Sequence, residues 1–349
     1  MTTKRPLRFI QVGLGGWGRS WAEELAKRPD LSVTLAYVDV VPAMLTQLGE
    51  QLPVDPSLCH ASLADALAAV DVDAVLVTTA LPGHASVALE AIAAGKHVLV
   101  EKPIAATLAD AQAMVDAAAA AGVLLMVSQN YRFYPAAQAV AKLVRDRALG
   151  EVGSVSVAFR KYGTGAPAGT NPHYLLSQPL LLDMSIHHFD LMRFVLGTDP
   201  LSVSCRAWNP SWSPFVDPAS AVAVVEFEGG AVVTYQGSWA STGSPTLWAG
   251  DWVIECAQGT ISWTGRDDAT TAGDSVVVRA LNGGSSTIAL PRTENFDRLG
   301  SVAEFAAAIR EGREPMNNGA ANLPSLELTL GAIESSLSGL PYIIAKGSE

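Results

Sequence analysis

The segment RFIQVGLGGWGRSW, residues 8–21, runs from an apolar strand pattern through a cluster of glycines into a helix pattern. Gly13, Gly15 and Gly18 satisfy the spacing GxGxxG, which on its own matches many ordinary turns. In this setting Gly13 permits a tight turn, Gly15 admits a pyrophosphate against the backbone, and Gly18 lets the helix pack closely on the strand. The segment therefore predicts a dinucleotide-binding turn, with a purely structural glycine turn as the alternative.

The next strand, predicted over 33–39, ends in Asp39, about twenty residues beyond the glycine turn. A carboxylate at this position accepts hydrogen bonds from both ribose hydroxyls and repels a 2′-phosphate. Val40, Val41 and Pro42 follow, so no Arg or Lys is at hand to neutralise such a phosphate. The pattern favours NAD over NADP.

Up to residue 128, short apolar strands alternate with helices. The strands are predicted over 8–12, 33–39, 58–60, 74–79, 97–100 and 123–128. The helices are predicted over 16–27, 42–51, 62–70, 85–94 and 107–121, with Thr107 as the N-cap and Gly122 as the end of the last one. Continuously apolar strands, each followed by a helix, indicate a doubly wound parallel sheet. Residues 1–128 are therefore predicted to form an NAD-binding Rossmann domain.

Residues 129–349 have a different character, with many strands that no helix separates. These strands are predicted over 151–162, 201–208, 220–228, 231–239, 251–257 and 259–263, and helices over 180–197, 295–311 and 324–338. Such a series indicates a large, mostly antiparallel open sheet flanked by helices. The predicted fold class is therefore α/β plus α+β, and 129–349 is the expected substrate-binding domain.

Composition narrows the class of partner. The 349 residues include 23 Lys and Arg against 34 Asp and Glu, a net charge of −11, which argues against binding to nucleic acid or to an anionic membrane surface. Cys59, Cys205 and Cys256 lie far apart and are expected to be free thiols in a reducing compartment. The start of the chain lacks a signal-peptide cleavage pattern, and no apolar run reaches membrane-spanning length. We expect a cytoplasmic protein.

The segment LLLDMSIHHFDLMRF, residues 180–194, is apolar and helical in pattern yet carries several ionisable groups. At about 100° per residue, Asp183, His187 and Asp190 fall within one arc of the helix. Either these groups satisfy one another, or they face a cavity where chemistry occurs. Asp183 and His187 have the spacing of metal ligands, but the sequence offers no evident third ligand, so no metal is predicted.

Four motifs follow one another along the chain. GLGGWG is followed by AGKHVLVEKP (94–103), by QNYRF (129–133), and by Asp183-x-x-x-His187 with Asp190. In this order the motifs resemble the Gfo/Idh/MocA family of NAD(P)-dependent oxidoreductases, named after glucose-fructose oxidoreductase and inositol dehydrogenase. The resemblance spans both predicted domains.

The resemblance implies that NAD(P) binds the N-terminal domain and that substrate lies against the open face of the C-terminal sheet, beside the nicotinamide. The predicted cofactor-binding residues are Gly13, Gly15, Gly16, Trp17, Gly18, Asp39, Thr79, Glu101 and Lys102.

Two departures from the family pattern concern the shape of the substrate pocket more than the cofactor site. The family often has Thr-Pro-Asn followed by His, whereas this chain reads Thr79-Ala-Leu-Pro-Gly-His84. Gln178-Pro179 replaces a glycine pair that often precedes the catalytic helix, and Ser185 stands where glycine is common.

The predicted catalytic residues are Lys102, Asp183 and His187. His187 is the expected base, because imidazole titrates near neutrality. Lys102 would donate to the reacting oxygen and share in proton transfer. Asp183 would orient the substrate or stabilise the imidazolium.

Other polar residues near these motifs have structural interpretations. His188 points away from His187 and is expected to be structural, while Asp190 is expected to pair with Arg193 within one helical turn. His84 and His97 lie near strand ends and are predicted to be hydrogen-bonded spacers.

The predicted substrate-binding residues are Arg132, Arg160, Tyr162, His173, Asp183 and His187. Strand alternation allows only one of Arg160 and Lys161 to face the pocket. A cation that points inward would suit a carboxylate or sulfonate on a sugar, whereas the alternative is a solvated strand end.

The sequence is compatible with three functions. The first is an NAD-dependent oxidoreductase acting on a secondary hydroxyl of a sugar, sugar derivative or cyclitol. The second is an NAD-dependent glycoside hydrolase that uses transient oxidation, elimination and re-reduction, possibly suited to an anionic sugar. The third, a nucleotide-sensing regulator, is disfavoured because it has no need of Lys102, Asp183 and His187. The expected partners are a carbohydrate and further copies of the chain, in a homo-dimer or homo-tetramer formed through an exposed sheet face.

Overall fold

A computed structural model describes residues 5–163, 165–167, 170–268 and 270–345. The chain divides into two compact units. The first unit contains the described residues up to Asn130 and also Glu294–Leu323, and the second contains Tyr131–Thr293 and the described residues from Pro324 onward. Among these residues, no helix is long and apolar enough to cross a membrane.

The first unit is built on six parallel strands. They are Leu7–Val12 (β1), Ser32–Val38 (β2), Cys59–His60 (β3), Ala74–Val77 (β4), His97–Glu101 (β5) and Leu125–Ser128 (β6). The helices between them are Gly16–Ala26 (α1), Pro42–Gln51 (α2), Leu63–Ala69 (α3), His84–Ala93 (α4) and Leu108–Ala121 (α5). The strand order β3-β2-β1-β4-β5-β6 reverses direction at β1, so a crevice opens beyond the carboxyl ends of β1 and β4. The predicted doubly wound parallel sheet is confirmed.

Local signals set the limits of the helices as predicted. The Thr107 hydroxyl accepts a hydrogen bond from the Asp110 amide at 3.1 Å, and Gly122 ends α5 with a left-handed φ of 66°. Strands β4 and β6 are buried along their whole length, as strands with helices on both faces must be.

The second unit is built on a nine-stranded sheet. Its strands are Val152–Arg160 (β7), Pro200–Trp208 (β8), Ser220–Phe227 (β9), Val232–Ser238 (β10), Asp251–Cys256 (β11), Gly259–Thr264 (β12), Ser275–Ala280 (β13), Ser285–Thr287 (β14) and Tyr342–Ile343 (β15). The order is β14-β13-β12-β11-β7-β10-β9-β8-β15. Strand β7 pairs in parallel with β10, and the other described neighbours are antiparallel. The predicted, mostly antiparallel sheet is confirmed.

Within the described residues, four further α-helices follow β6. They are Pro135–Arg145 (α6), Ile186–Leu196 (α7), Asp297–Glu311 (α8) and Gly319–Ser338 (α9). Helix α8 packs on α1 and β6 of the first unit, where Phe305 is fully buried and stacks on Phe9 with ring centroids 6.4 Å apart. The sequence pattern assigned this helix to the second domain, because periodicity reveals a helix but not the sheet on which it packs.

The two faces of the nine-stranded sheet differ. One face packs under α7, where Phe189 lies 5.3 Å from Tyr235 between ring centroids. The other, which we call the open face, exposes alternate residues such as Val222 (41%), Val224 (45%) and Val253 (41%). This alternation is typical of a sheet covered on one side only.

The sequence patterns did not predict α6, β13, β14 or β15. Helix α6 is amphipathic, with Ala137, Val140 and Ala141 buried on one side, so the sequence pattern could have predicted it. Strands β14 and β15 have three and two residues, so pairing with a neighbouring strand, and not local pattern, defines them.

Replacing Phe305 with Ala should destabilise the first unit by about 3–5 kcal/mol, because the buried ring leaves a cavity between α8 and β1. Urea denaturation followed by circular dichroism measures this loss. As a control, Leu281→Ala, at a position that is 73% exposed, should change stability by less than about 0.5 kcal/mol. Equal stabilities for the two variants would contradict the assigned packing of α8.

Candidate active site

The turn between β1 and α1 has no room for side chains at two of its glycines. Gly13 has a φ of +95°, and a Cβ added to it would overlap the backbone nitrogen of Thr79. A Cβ on Gly18 would overlap the carbonyl oxygen of Gly13. Gly15 and Gly16 differ, since a Cβ on either would meet no atom within 4 Å. The turn is therefore closed toward the protein and open on its outer side.

A cavity of about 470 Å³ lies against this turn. It is lined by the predicted residues Gly13, Gly15, Gly16, Trp17, Gly18, Asp39 and Thr79, and also by Val12, Val38, Val40, Val41, Met44, Thr78, Ala80 and Val87. The first backbone N–H groups of α1 begin at its wall, which favours an anion there.

Asp39 is held at the edge of the cavity by two backbone amides. Its Oδ2 accepts a hydrogen bond from the Leu14 amide at 2.7 Å, and its Oδ1 accepts one from the Val41 amide at 2.8 Å. Each carboxylate oxygen keeps further acceptor capacity. Val40 is 82% exposed, so this edge of the cavity is apolar apart from the carboxylate.

These features fit a dinucleotide. Gly15 and Gly16 leave open space where a pyrophosphate would approach the helix N-terminus, and Asp39 presents acceptors for a ribose. The buried Thr79 hydroxyl at the cavity wall has no hydrogen-bond partner among the described residues. Such an orphaned group is expected where a ligand completes the site.

Trp17 forms part of a cluster that sequence reasoning missed. Its ring is 46% exposed and lies 4.7 Å from the guanidinium carbon of Arg298. Arg298 also donates to the Ser20 hydroxyl at 3.0 Å and lies 3.7 Å from the Glu24 carboxylate. The cationic side chain comes from α8, far away in sequence, so no local motif could indicate it.

Glu101 and Lys102 follow one another at the carboxyl end of β5. Glu101 is only 5% exposed, and its carboxylate accepts hydrogen bonds from the Trp21 indole at 2.6 Å and from the Lys102 amide at 2.9 Å. Glu101 therefore fixes the backbone that carries Lys102, whose side chain is half-buried.

The two histidines predicted as spacers in the first unit have that role. His84 is buried between the carbonyl oxygens of Pro103 at 2.8 Å and Thr79 at 3.1 Å, and burial lowers its pKa. His97 accepts a hydrogen bond from the Leu124 amide at 2.9 Å.

In the second unit, a π turn at Leu181–Ser185 precedes α7. The Ser185 amide donates to the Leu180 carbonyl at 2.7 Å, five residues back. The predicted uniform helix from 180 is therefore wrong at its start, and Asp183 does not keep the α-helical angle to His187. One-turn π bulges are often found at functional sites.

Asp183 and His173, which were both predicted to bind substrate, lie close together. The carboxylate of Asp183 is 3.6 Å from Nε2 of His173, and its side chain is 43% exposed. The His173 ring stands edge-on to Phe215 and Trp239, with centroids 5.3 and 5.0 Å away. These contacts hold an accessible carboxylate beside an imidazole.

His187 is 7% exposed and stacks on Tyr131, with ring centroids 4.0 Å apart and planes 7° from parallel. Arg266 lies against the same tyrosine, 4.3 Å from its ring, and donates to its hydroxyl at 2.8 Å. Neither Tyr131 nor Arg266 was predicted as a site residue. Tyr131 lies within the QNYRF motif and so could have been found, whereas nothing local singles out Arg266.

Arg132 was predicted to border the substrate pocket, but the structure gives it a buried partner. It is 6% exposed, and Nε and Nη2 donate to the two carboxylate oxygens of Asp190 at 2.6 and 2.7 Å. The Ser325 hydroxyl also donates to Asp190, at 2.9 Å. The predicted pairing of Asp190 with Arg193 is wrong, because Arg193 pairs with Asp199 at 2.6 Å.

His188 has the predicted structural role. It is fully buried, with Nδ1 3.1 Å from the Tyr235 hydroxyl and Nε2 2.9 Å from the Trp248 carbonyl oxygen. Burial lowers the pKa of His188 to about 4. Ser185, the departure from the usual glycine, lies 2.9 Å from the same Tyr235 hydroxyl and so extends this buried network.

Arg160 and Lys161 point to opposite sides of the sheet. Arg160 donates to the Asp251 carboxylate at 2.6 Å and to the Ser244 carbonyl oxygen at 3.0 Å. Lys161 lies over Trp248, 4.4 Å from the ring, on the side that α7 covers. Tyr162 is 59% exposed and forms a bridge with Ala240.

Substrate was expected to lie against the open face, but the predicted site residues do not all lie on that face. Asp183 and His187 belong to the π turn and helix that cover the opposite face, and Asp183 contacts His173 there. Arg160 and its partner Asp251 are directed toward the open face instead. Strand alternation separates the two sets.

Comparisons with known proteins agree with both units. Residues 7–129 match the oxidoreductase family model with an NAD-binding Rossmann fold, and residues 137–262 match the GFO/IDH/MocA C-terminal domain. D-apiose dehydrogenase of Paraburkholderia graminis is 30% identical over 352 aligned residues, covering 97% of this chain and 90% of that protein. Inositol 2-dehydrogenase of Rhizobium meliloti is 32% identical over 203 residues, covering 58% of each.

Solved structures share the fold over the whole chain. An inositol dehydrogenase homologue from Azotobacter vinelandii, in complex with NADH and myo-inositol, has a TM-score of 0.81 at 19% identity and covers 98% of both chains. An oxidoreductase from Agrobacterium radiobacter, in complex with NAD+, L-tartaric acid and magnesium, has a TM-score of 0.82 at 22% identity, covering 97% of this chain and 98% of that one. Together with the cradle at the glycine turn, these matches establish that the chain belongs to the GFO/IDH/MocA family of oxidoreductases and carries its NAD-binding Rossmann domain.

Proposed function

We propose that this protein is an NAD-dependent dehydrogenase of a secondary hydroxyl on a sugar, sugar derivative or cyclitol. The observation that carries the proposal is the π turn and helix, which hold an accessible Asp183 beside His173 and, four residues further on, a buried His187 stacked on Tyr131. Relatives named D-apiose dehydrogenase and inositol 2-dehydrogenase support a polyhydroxylated substrate.

The residues of the glycine turn would hold the dinucleotide. The α1 N-terminus with Gly15 and Gly16 would receive the pyrophosphate, Asp39 the adenosine ribose, and Thr79 a polar group of the cofactor. NAD, when bound, supplies the hydride acceptor or donor. Because Asp39 disfavours a 2′-phosphate, NAD is proposed as the preferred form.

Side chains of this protein would carry out the proton transfer. His187 would take the hydroxyl proton of the substrate, because a neutral imidazole is a competent base near neutral pH. Lys102 would donate a hydrogen bond to the same oxygen and stabilise its developing negative charge. Asp183 would orient the substrate through its hydroxyls, and Tyr131 would fix the imidazole by stacking.

Replacing His187 with Ala or Gln should lower kcat by about 10²–10⁴-fold, the usual contribution of a positioned base, while NAD affinity changes little. Nicotinamide absorbance over a panel of sugars, cyclitols and sugar acids measures turnover, and isothermal titration measures NAD binding.

The matched control is His60→Ala, which removes a half-buried imidazole from the edge strand β3 and should keep parent activity. Activity of both His187 variants near the parent value would rule out His187 as the base. Including aryl glycosides in the panel distinguishes a glycoside hydrolase from a dehydrogenase, because a hydrolase releases aglycone without net NADH.

Replacing Asp39 with Asn should reduce the NAD-to-NADP ratio of kcat/KM by about ten- to a hundredfold, because a charged acceptor for ribose is lost along with its repulsion of a 2′-phosphate. Asn keeps one acceptor for the loop amides. Asp116→Asn, on the exposed side of α5, is the control and should keep the parent ratio. An unaltered ratio in the Asp39 variant would remove Asp39 from the cofactor site.

We further propose that the open face joins copies of the chain in a homo-dimer or homo-tetramer. Val222 and Val224 of β9 and Val253 of β11 expose 41–45% of their surface along a trough of about 820 Å³. Apolar side chains exposed in this way on one face favour burial against a partner.

A lysine at Val224 should therefore shift the protein toward the monomer in sedimentation velocity, because it adds a charge among the exposed apolar residues of β9. Leu281→Lys changes an apolar residue outside the open face, 73% exposed against 45% for Val224, and should keep the parent mass. A parent that is itself monomeric at micromolar concentration, or a Val224→Lys variant of unchanged mass, would refute the interface.

A further inference from the structure

Cations and aromatic rings alternate along one row of the second unit, which we call the cationic row. Lys161 lies 4.4 Å from the Trp248 ring, and Arg266 lies 5.4 Å from the same ring. Arg266 in turn lies 4.3 Å from Tyr131, which stacks on His187 at 4.0 Å. The row thus joins two positive charges to the imidazole proposed as the base.

Within the described ranges, the ammonium of Lys161 has neither an ion pair nor a hydrogen bond, and Trp248 is its one recorded side-chain partner. Its neighbour Arg160, on the other face, is paired with Asp251. Burial, the largest effect, lowers the pKa of Lys161; Asp268 opposes this change, Arg266 adds to it and Asp267 opposes it. A partly desolvated ammonium without a bonded anion is costly, so an anionic ligand would relieve that cost.

The carboxylates nearest this lysine are engaged elsewhere. Asp268 accepts a hydrogen bond from the Trp248 indole, and Asp267 accepts one from the Asp268 amide at 2.8 Å. Asp274 accepts from the amides of Arg266 at 2.9 Å and Ala136 at 3.2 Å. These bonds tie the acidic residues to the loop that carries Arg266, and none of them neutralises Lys161 through a direct contact.

Arg266 is fixed in place by the tyrosine. Its Nη1 donates to the Tyr131 hydroxyl, and its guanidinium lies over the ring, so its charge is held in the row without rotation of a long side chain. A site that combines an ammonium held over Trp248 with a guanidinium fixed by Tyr131 has the chemistry that recognises a carboxylate.

We propose that Lys161, supported by Arg266, forms an anion-binding subsite at the other end of the cationic row from His187, and that the substrate is a sugar or cyclitol derivative bearing a carboxylate. This inference rests on the proposed dehydrogenase function. Lys161 would contact the carboxylate, while Trp248 keeps the ammonium in position. The subsite thus assigns Lys161 as a specificity-determining residue and leaves Arg160 to the open face.

The test compares matched substrate pairs, each a uronate and the neutral aldose of the same configuration, by kcat/KM with NAD. The parent enzyme should prefer the uronate. Lys161→Met keeps the apolar stem over Trp248 but removes the charge, and should reduce the uronate-to-aldose ratio by about ten- to a hundredfold, mostly through KM. Lys161→Arg should restore much of the preference. Lys142→Met, which removes an exposed lysine of α6, should keep the parent ratio.

Failure of the subsite and failure of the dehydrogenase function have different signatures. Oxidation of neutral substrates with a ratio that Lys161→Met leaves unaltered overturns the subsite and keeps the dehydrogenase. If neither uronates nor neutral aldoses yield NADH, isothermal titration of uronate into the NAD-loaded protein tests the subsite. Binding that weakens in Lys161→Met and at high salt supports the subsite, and binding that is absent or independent of Lys161 overturns it.

Discussion

The contact between Gly18 and the carbonyl of Gly13 is the constraint on which the first unit depends. Because neither residue has a side chain, α1 begins directly against the end of β1, and its first amides border the cavity. Any larger residue would force the helix away from the strand and would displace the helix N-terminus that borders the cavity. Asp39, Thr79 and Lys102 then reach this edge because parallel strands end on the same side of the sheet.

The second unit relies on a different interaction, the buried pair of Arg132 and Asp190. Two desolvated charges are tolerated because the guanidinium and carboxylate meet in a bidentate arrangement and Ser325 satisfies a further lone pair. The pair anchors the turn after β6 to α7. Tyr131, one residue before Arg132, is thereby held where it can stack on His187. A residue that looks like a substrate ligand in the sequence thus acts as a support for the imidazole.

Much of the fold follows from local pattern. The first-unit strands are short, apolar and separated by helices with clear capping residues, so each was predicted to within a few residues. The cavity at the glycine turn follows for the same reason, since the GxGxxG turn and Asp39 belong to a single strand–helix–strand unit. Prediction failed where a long-range contact decides the outcome: the partner of Asp190, the sheet on which α8 packs, and the position of Arg266 over Tyr131. The π turn was missed because one extra residue in a helical turn leaves the apolar pattern almost intact.

The burial of His188 has a consequence for its neighbour in sequence. Two adjacent imidazoles on one helix would ordinarily influence each other's protonation, and their titration would then belong to the pair. With a pKa of about 4, the His188 imidazole is uncharged near neutral pH. It is hydrogen-bonded to the Tyr235 hydroxyl and the Trp248 carbonyl. His188 therefore adds no positive charge beside His187 near neutral pH.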